Sequence, residues 1–460
     1  PYDGPPVELK HRTLLPLAVE WGGQRFELGG AAATFAVATS LSSVCRQLDV
    51  ELASDLDRDV SGYWGRTGHY SVAAFAIQLV KDPKLKSFLT DNLEQLSYPI
   101  GDIENENFDE RVGQASDAGE FVPLADVPDE IWKHLPIAMN AEHGRLGGRD
   151  THGGQRSDGP EHPNHYADID VAPTGKVSWR DQCVADPTKI DPDVWIHDFY
   201  EKMGAKAKKA GDSSAAAHWN TEGDQGLLPF RVWQLFDAMV AALNTGDVVD
   251  FLTAAGVCAH YVGDASQPLH GSVLADGDPA RTSKRWRPKK KVWETVIFGK
   301  GVHSDYETHM VSGKVKPLIE GISAAMPKKH GLRVRANGRD CAHAVLELMQ
   351  TAATTLPPAT ILKEYEAALT KSDQAPRGHK TEVLLDTMWD KLGDGTIKVM
   401  LEGAKTLALI WDSAWNAGGG DNLDSAALTT IDPERLKKRY TDIDFVPSKQ
   451  LDQIGPLLQH

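Results

Sequence analysis

The segment DVVDFLTAAGVCAHYVGDASQPLH, residues 247–270, narrows the choice of fold more than any other stretch of the chain. It is apolar at helical spacing and reads as a buried helix. It nevertheless carries His260 and Asp264, four residues apart and so on one face, a turn from each other. Gln267-Pro268 ends the helix, because proline lacks the amide hydrogen that continues the ladder. His270 follows on the exit loop, where it can turn back toward the same face. This geometry permits a metal site without requiring one, since a lone His/Asp pair is more often an ion pair or a cap.

Helical patterning dominates the rest of the chain from residue 64 onward. HYSVAAFAIQLV (69–80) suits a buried helix, and PFRVWQLFDAMVAAL (229–243) opens with a proline that a first helical turn tolerates. CAHAVLELMQTAATTL, TEVLLDTMWDKL and TIKVMLEGAKTLALIWDSAWNAGGG read as three further helices, the last ending in glycines suited to a C-terminal cap. Long polar stretches at 144–164, 271–302 and 373–380 interrupt them, and no strand-rich region stands out. The expected class is all-α, a multi-helix fold with long polar loops. Residues 1–63 read as an N-terminal extension or propeptide with one helix near 41–57, residues 64–420 as the main domain and 421–460 as a C-terminal tail.

At 460 residues the chain can bury a sizeable core. No apolar run reaches the roughly 18 residues of a membrane-spanning helix. A net charge of −16 argues against a surface built to bind duplex nucleic acid. Cys45, Cys183, Cys258 and Cys341 are far apart, with no CxxC pair, which speaks against a structural thiolate site. In a secreted protein they leave room for one or two disulfides.

A second pair at the same spacing occurs in GVHSDYETHM, where His303 and Glu307 stand at i and i+4. Neutral imidazole and carboxylate are ligands that zinc accepts, and a helix holds such a pair at a set separation. Upstream, EHPNHYADID presents His165, FVPLADVPDEIW presents Asp126 before a proline-initiated turn, and WGRTGHY places Trp64 and His69 around a glycine-containing turn. Singly these read as a loop histidine, a helix cap and a core aromatic.

In order, W-G-x-x-G-H, L-A-D, H-Y-A-D, H-Y-V-G-D-x-x-Q-P-L-H and H-S-x-Y-E resemble the zinc-dependent phospholipase C family and the related fungal-type single-strand-specific nucleases. The resemblance implies an all-α fold around three zinc ions and a secreted or periplasmic location. Carried over motif by motif, Asp126, His165, His260 and Asp264 hold the first zinc, and His270, His303 and Glu307 the second. His69 and Asp264 hold the third, with Trp64 beside them. It implies hydrolysis of phosphoric diesters by zinc-activated water, with Asp126 as general base and a phospholipid headgroup or single-stranded nucleic acid as substrate.

Two departures qualify that expectation. Family members begin at the tryptophan and use its free amine as a ligand, whereas Trp64 is internal here. A leader cleaved before Trp64, a substitute carboxylate from Asp55, Asp57 or Asp59, or a weak third site would each account for this, as would a leader that is only a packing element. The other departure concerns substrate. The nuclease branch has an arginine three residues after the first aspartate, where this chain has Asp129. The H-S-x-Y-E context leans to phospholipase C, with the nuclease as alternative, and a catalytically impaired zinc-binding protein or zymogen as the alternative of another class. The basic run KRWRPKKK (284–291) either rims the cleft, with Trp286 in transient contact with a membrane surface, or is a solvated loop.

Overall fold

A computed structural model describes residues 65–134 and 161–459 except 106, 118, 288–291, 377 and 443, together with a two-residue strand pair, Val19–Glu20 with Ala38–Thr39. The architecture of the described residues is mostly helical. Its centre is the segment that opens the sequence argument. Asp247 caps it, its carboxylate accepting from the amides of Val249 and Asp250, and the helix α3 then runs Val248–Ser266 with nearly every residue buried. Around α3 lie α1 (Gly65–Leu79), α2 (Leu228–Thr245), α5 (Gly338–Thr355) and α7 (Lys380–Ala417). Residues of all five join one core cluster. No helix among the described residues is long and apolar enough to cross a membrane.

Two glycines set how closely neighbours approach α3. A Cβ on Gly256 would lie 2.3 Å from Leu124 Cβ, and one on Gly263 would lie 2.8 Å from His69 Nδ1. Seven residues apart, they lie on nearly the same face, the one that also presents His260 and Asp264. The first lets the turn Leu124–Asp126 press in, and the second admits the His69 ring from α1. Leu124, Asp126 and His69 are themselves fully or almost fully buried.

Three local readings are corrected by the structure. TEVLLDTMWDKL and TIKVMLEGAKTLALIWDSAWNAGGG are not two helices but one, α7, of 38 residues. Buried Leu392, Thr396 and Val399 hold it together across the Gly-Asp-Gly at 393–395, where glycine costs about 1 kcal/mol relative to alanine. A further helix, α6 (Pro358–Gln374), packs along it. The stretch 271–302 is not a plain loop: it contains an antiparallel hairpin, β1 (Asp278–Arg287) and β2 (Val292–Phe298), with Trp286 opposite Trp293. Cys183, Cys258 and Cys341 are free and buried, so no disulfide joins cysteines among the described residues.

The last forty residues also pack inward. A helix α4 (Val315–Ala325) precedes α5 in the chain, and a short helix α8 (Pro433–Tyr440) follows α7; the Tyr440 carbonyl accepts from the Trp132 indole at 2.8 Å. The buried Arg231 guanidinium donates to the carbonyls of Val446 (2.9 Å) and Pro447 (3.4 Å).

Candidate metal centre

The ligand-type side chains come from six separate pieces of chain and meet at α3. His69 arrives from α1, Asp126 and Asp129 from the turns at 124–130, His165 from the turn His162–His165, and His303 and Glu307 from the chain beyond the hairpin. His260 and Asp264 lie on α3, and His270 sits in the turn after Pro268. Three groups bring their ligand atoms within 4.8 Å of one another: His69/Asp126/His260, Asp129/His165/His260 and His270/His303/Glu307.

Backbone carbonyls orient two of the rings. His260 Nδ1 lies 3.1 Å from the Ala125 carbonyl and His270 Nδ1 lies 2.9 Å from that of His165, so each Nδ1–H donates and each Nε2 lone pair faces the cluster. His260 Nε2 then stands 3.1 Å from His165 Nδ1, 3.4 Å from Asp129 and 3.4 Å from Asp264. His270 Nε2 stands 3.1 Å from His303 Nε2 and 3.2 Å from Glu307. His303 Nε2 is 3.0 Å from the same carboxylate, which also accepts 2.7 Å from the Gln267 amide. Asp264 is the hub, with Oδ2 2.9 Å from His165 and Oδ1 3.3 Å from His270 and 3.7 Å from His69.

This donor set fits divalent cations. Lone pairs that converge at hydrogen-bond distance repel unless a proton or a cation lies between them. Both oxygens of Asp126, both ring nitrogens of His69, Asp264 Oδ1 and Glu307 Oε1 are buried without a hydrogen bond, which is costly for polar atoms unless something else satisfies them. Burial pushes the carboxyls of Asp126, Asp129 and Asp264 well above the usual range, and neighbouring carboxylates add to the rise. Burial also lowers the imidazoles of His165 and His260 well below theirs, and that of His69 to about 3. Without a cation, burial thus favours the uncharged form of each of these groups.

The grouping differs in part from the expected one. His270, His303 and Glu307 come together as one set. Asp126, expected beside His165, His260 and Asp264, instead shares a group with His69 and His260, and Asp129 takes the place beside His165 and His260. Trp64 and the substitute carboxylates Asp55, Asp57 and Asp59 lie outside the described residues. Sequence reasoning noted Asp129 only as a residue standing where an arginine was expected. Its signal was its position, three residues after Asp126 on a helical turn. Glu161 was also missed: it is buried, lies 3.2 Å from His165 Nε2 and accepts from Tyr261 and Ser448. Lys133, buried and 2.6 Å from Asp129, was missed as well; burial lowers its ammonium to about 7, against the pull of Asp264 and Glu161.

No protein-family model matches the chain. A curated relative from Bradyrhizobium tropiciagri, named a "probable serine protease", is 50% identical over 453 residues, 98% of this chain and 56% of the relative. The chain thus spans just over half that relative's length. The comparison overturns the resemblance to the zinc-dependent phospholipase C and nuclease family. With it go the phosphodiester hydrolase activity and the phospholipase C, nuclease and phosphodiesterase descriptions. The physical reason is that histidines and carboxylates at i,i+4 record the geometry of metal coordination, and hydrolases of different bonds share that geometry. Among the described residues, no hydrogen bond joins a serine hydroxyl to a histidine ring. Ser413 donates to the Leu409 carbonyl, Ser266 to that of Gly263 and Ser448 to Glu161.

Proposed function

We propose that this chain is a zinc-binding helical module of a peptide hydrolase, with the buried histidine–carboxylate cluster as its hydrolytic centre. The observation that carries the metal is the convergence of His270 Nε2, His303 Nε2 and Glu307 within 3.2 Å of one another, beside a second convergence at His260 Nε2. The relative's name supplies the bond class. In this reading His270, His303 and Glu307 hold one ion. His165, His260 and Asp129 hold a second, His69 and Asp126 a third, and Asp264 lies between them. Zinc when bound supplies a Lewis acid and lowers the pKa of water toward neutrality. Ala125 and His165 keep the rings of His260 and His270 turned inward through their carbonyls, and Asp126, once ionised beside a cation, would accept a proton from the attacking water as general base.

A second reading is favoured by the part of the relative that lies beyond the match: peptide cleavage there depends on a serine, and the cluster binds metal without cutting. One experiment separates the two. Metal content is measured on the full chain, followed by hydrolysis of a fluorescent casein with and without 1,10-phenanthroline, and by labelling with a fluorophosphonate. Bound zinc with casein cleavage that the chelator abolishes and added zinc restores supports the first reading. Bound zinc without cleavage supports the second. A fluorophosphonate-labelled serine in this chain would sink the metal-centred mechanism, and a chain that retains no zinc would sink both.

A further inference from the structure

Away from the cluster, the solvent-facing side of the β1–β2 hairpin is unlike the rest of the described surface. Of the six large apolar side chains exposed on the described surface, four lie on the hairpin: Trp286 (40%), Trp293 (62%) and Ile297 (42%) on its outward face, and Val292 (47%) at the start of β2, opposite Arg287. The register separates its two faces, because directly opposed residues share a side. The pairs Ser283/Val296 and Arg285/Glu294 face inward. Ser283 and Arg285 each reach Glu366 of α6 at 3.2 Å, the Gly299 amide donates to the same carboxylate at 2.6 Å, and Val296 is buried. The pairs Thr282/Ile297, Lys284/Thr295 and Trp286/Trp293 face outward. The two indoles lie side by side, centroids 5.7 Å apart and planes inclined by 56°, and Lys284 is tied to Thr295 at 2.5 Å. The inner face is fastened to α6 while the outer face presents apolar rings to water.

Charge completes the picture. In a chain of net charge −16, residues 284–291, KRWRPKKK, carry six basic side chains in eight positions. Tryptophan settles at the boundary between lipid headgroups and acyl chains, and lysine and arginine beside it are drawn to anionic headgroups. A nucleic-acid strand would need a track of cations aligned with stacking rings, whereas on the described outward face the strip is apolar, with the single cation Lys284, and Arg285 is turned inward to Glu366.

We infer that the outer face of the hairpin, Trp286, Trp293 and Ile297 with Lys284, docks the protein on an anionic lipid bilayer. The hairpin is rooted beside the cluster, since β2 ends at Phe298 and His303 follows within five residues. Docking would therefore hold the metal centre close to the membrane surface.

The test is sedimentation of the full chain with vesicles of phosphatidylcholine alone and of phosphatidylcholine mixed with phosphatidylglycerol, over a range of salt. Binding to the anionic vesicles is expected to be at least about ten-fold tighter and to weaken as salt rises. The double variant W286A/W293A is expected to lose about ten-fold or more of that binding at an unchanged melting temperature. Should the double variant misfold, Trp293→Ser alone, at the most exposed ring, carries the test. Equal binding to both vesicle types, or binding indifferent to the tryptophans, would overturn the inference. So would equally strong, tryptophan-dependent binding to a soluble oligonucleotide or an acidic peptide, which would make the ligand a polymer and not a bilayer. Binding is expected to persist in chelator, so that failure of the zinc reading leaves it standing.

Discussion

Two pairs with one spacing behave in opposite ways. His260/Asp264 and His303/Glu307 are both histidine and carboxylate four residues apart. The first lies on a long α-helix at the centre of the core, where burial lowers the imidazole well below its usual range and raises the carboxyl well above its own. Both shifts favour the uncharged forms, with the two groups 3.4 Å apart. The second lies where a short α-helical turn opens into a π-helical stretch, Asp305–Met310, and His303 keeps 19% of its side chain exposed. There burial is outweighed: Glu307 and Asp276 lift His303 to about 10, and His303 and His270 bring Glu307 down to about 2. The second pair is an ion pair 3.0 Å apart. Identical spacing thus gives a neutral pair in one place and a charged pair in the other, and the difference is access to water and to a further carboxylate.

The comparison can be broken most decisively at Asp264. Asp264→Ala removes the hub shared by His69, His165, His260 and His270, and zinc affinity, read by competition calorimetry, is expected to fall by more than about 100-fold. The metal-free variant should melt no lower than the metal-free parent, because the lost carboxyl was buried against its preference for water. A clear drop in that melting temperature would mean that Asp264 stabilises the fold without metal. Next in size, removing zinc from the parent with a chelator should lower its melting temperature, and zinc added back should raise it with concentration; a curve indifferent to zinc would contradict a site that binds only the folded state.

Glu307→Gln acts on the charged pair and on the neighbouring His270, 3.2 Å away. It should lower zinc affinity about 10- to 100-fold and move the His303 titration, followed by NMR in the metal-free protein, down from about 10. The same variant sets a pH signature. His303 has its folded pKa raised above the unfolded 6.5, so its stabilisation is whole below pH 6.5 and is lost as pH rises through about 10. Glu307 has its folded pKa depressed below 4.5, so its share is whole above pH 4.5 and is lost as pH falls through about 2. The difference in stability between metal-free parent and variant should therefore peak between pH 4.5 and 6.5 and shrink toward either side. The smallest effect is expected at Gln267, which orients Glu307 through its amide at 2.7 Å and caps the turn of His270 by accepting from the Leu269 amide. Gln267→Ala should cost zinc affinity about 10-fold and leave the His260/Asp264 side untouched.

Much of this cluster was legible because ligand-type pairs at helical spacing are short-range patterns. The spacing of His260 with Asp264, the Gln-Pro that turns the chain at His270, and the spacing of His303 with Glu307 are all local, and the structure brings those residues together. Asp129 left only its position three residues after Asp126, and Glu161 left nothing, because no neighbour in sequence announces that His165 and His260 approach Asp129 from 36 and 131 residues away or that His165 meets Glu161 from the next turn. The bond class in the relative's name was not legible either. Histidine–carboxylate motifs leave the substrate unspecified, and here they led to phosphoric diesters where the relative is named a protease.

What the sequence by itself determined are the helices and the local pairs: the cap at Asp247, the apolar pattern of α3 and the break at Pro268 are properties of neighbouring residues. What only the tertiary structure decided is which ligands group together, which carboxylates stay protonated, and that residues 278–298 fold back as a hairpin with its tryptophans outward. The physical reason is that helix propensity acts over a turn or two. Desolvation and Coulomb energy depend on every group that packing brings within a few ångströms, wherever it lies in the chain.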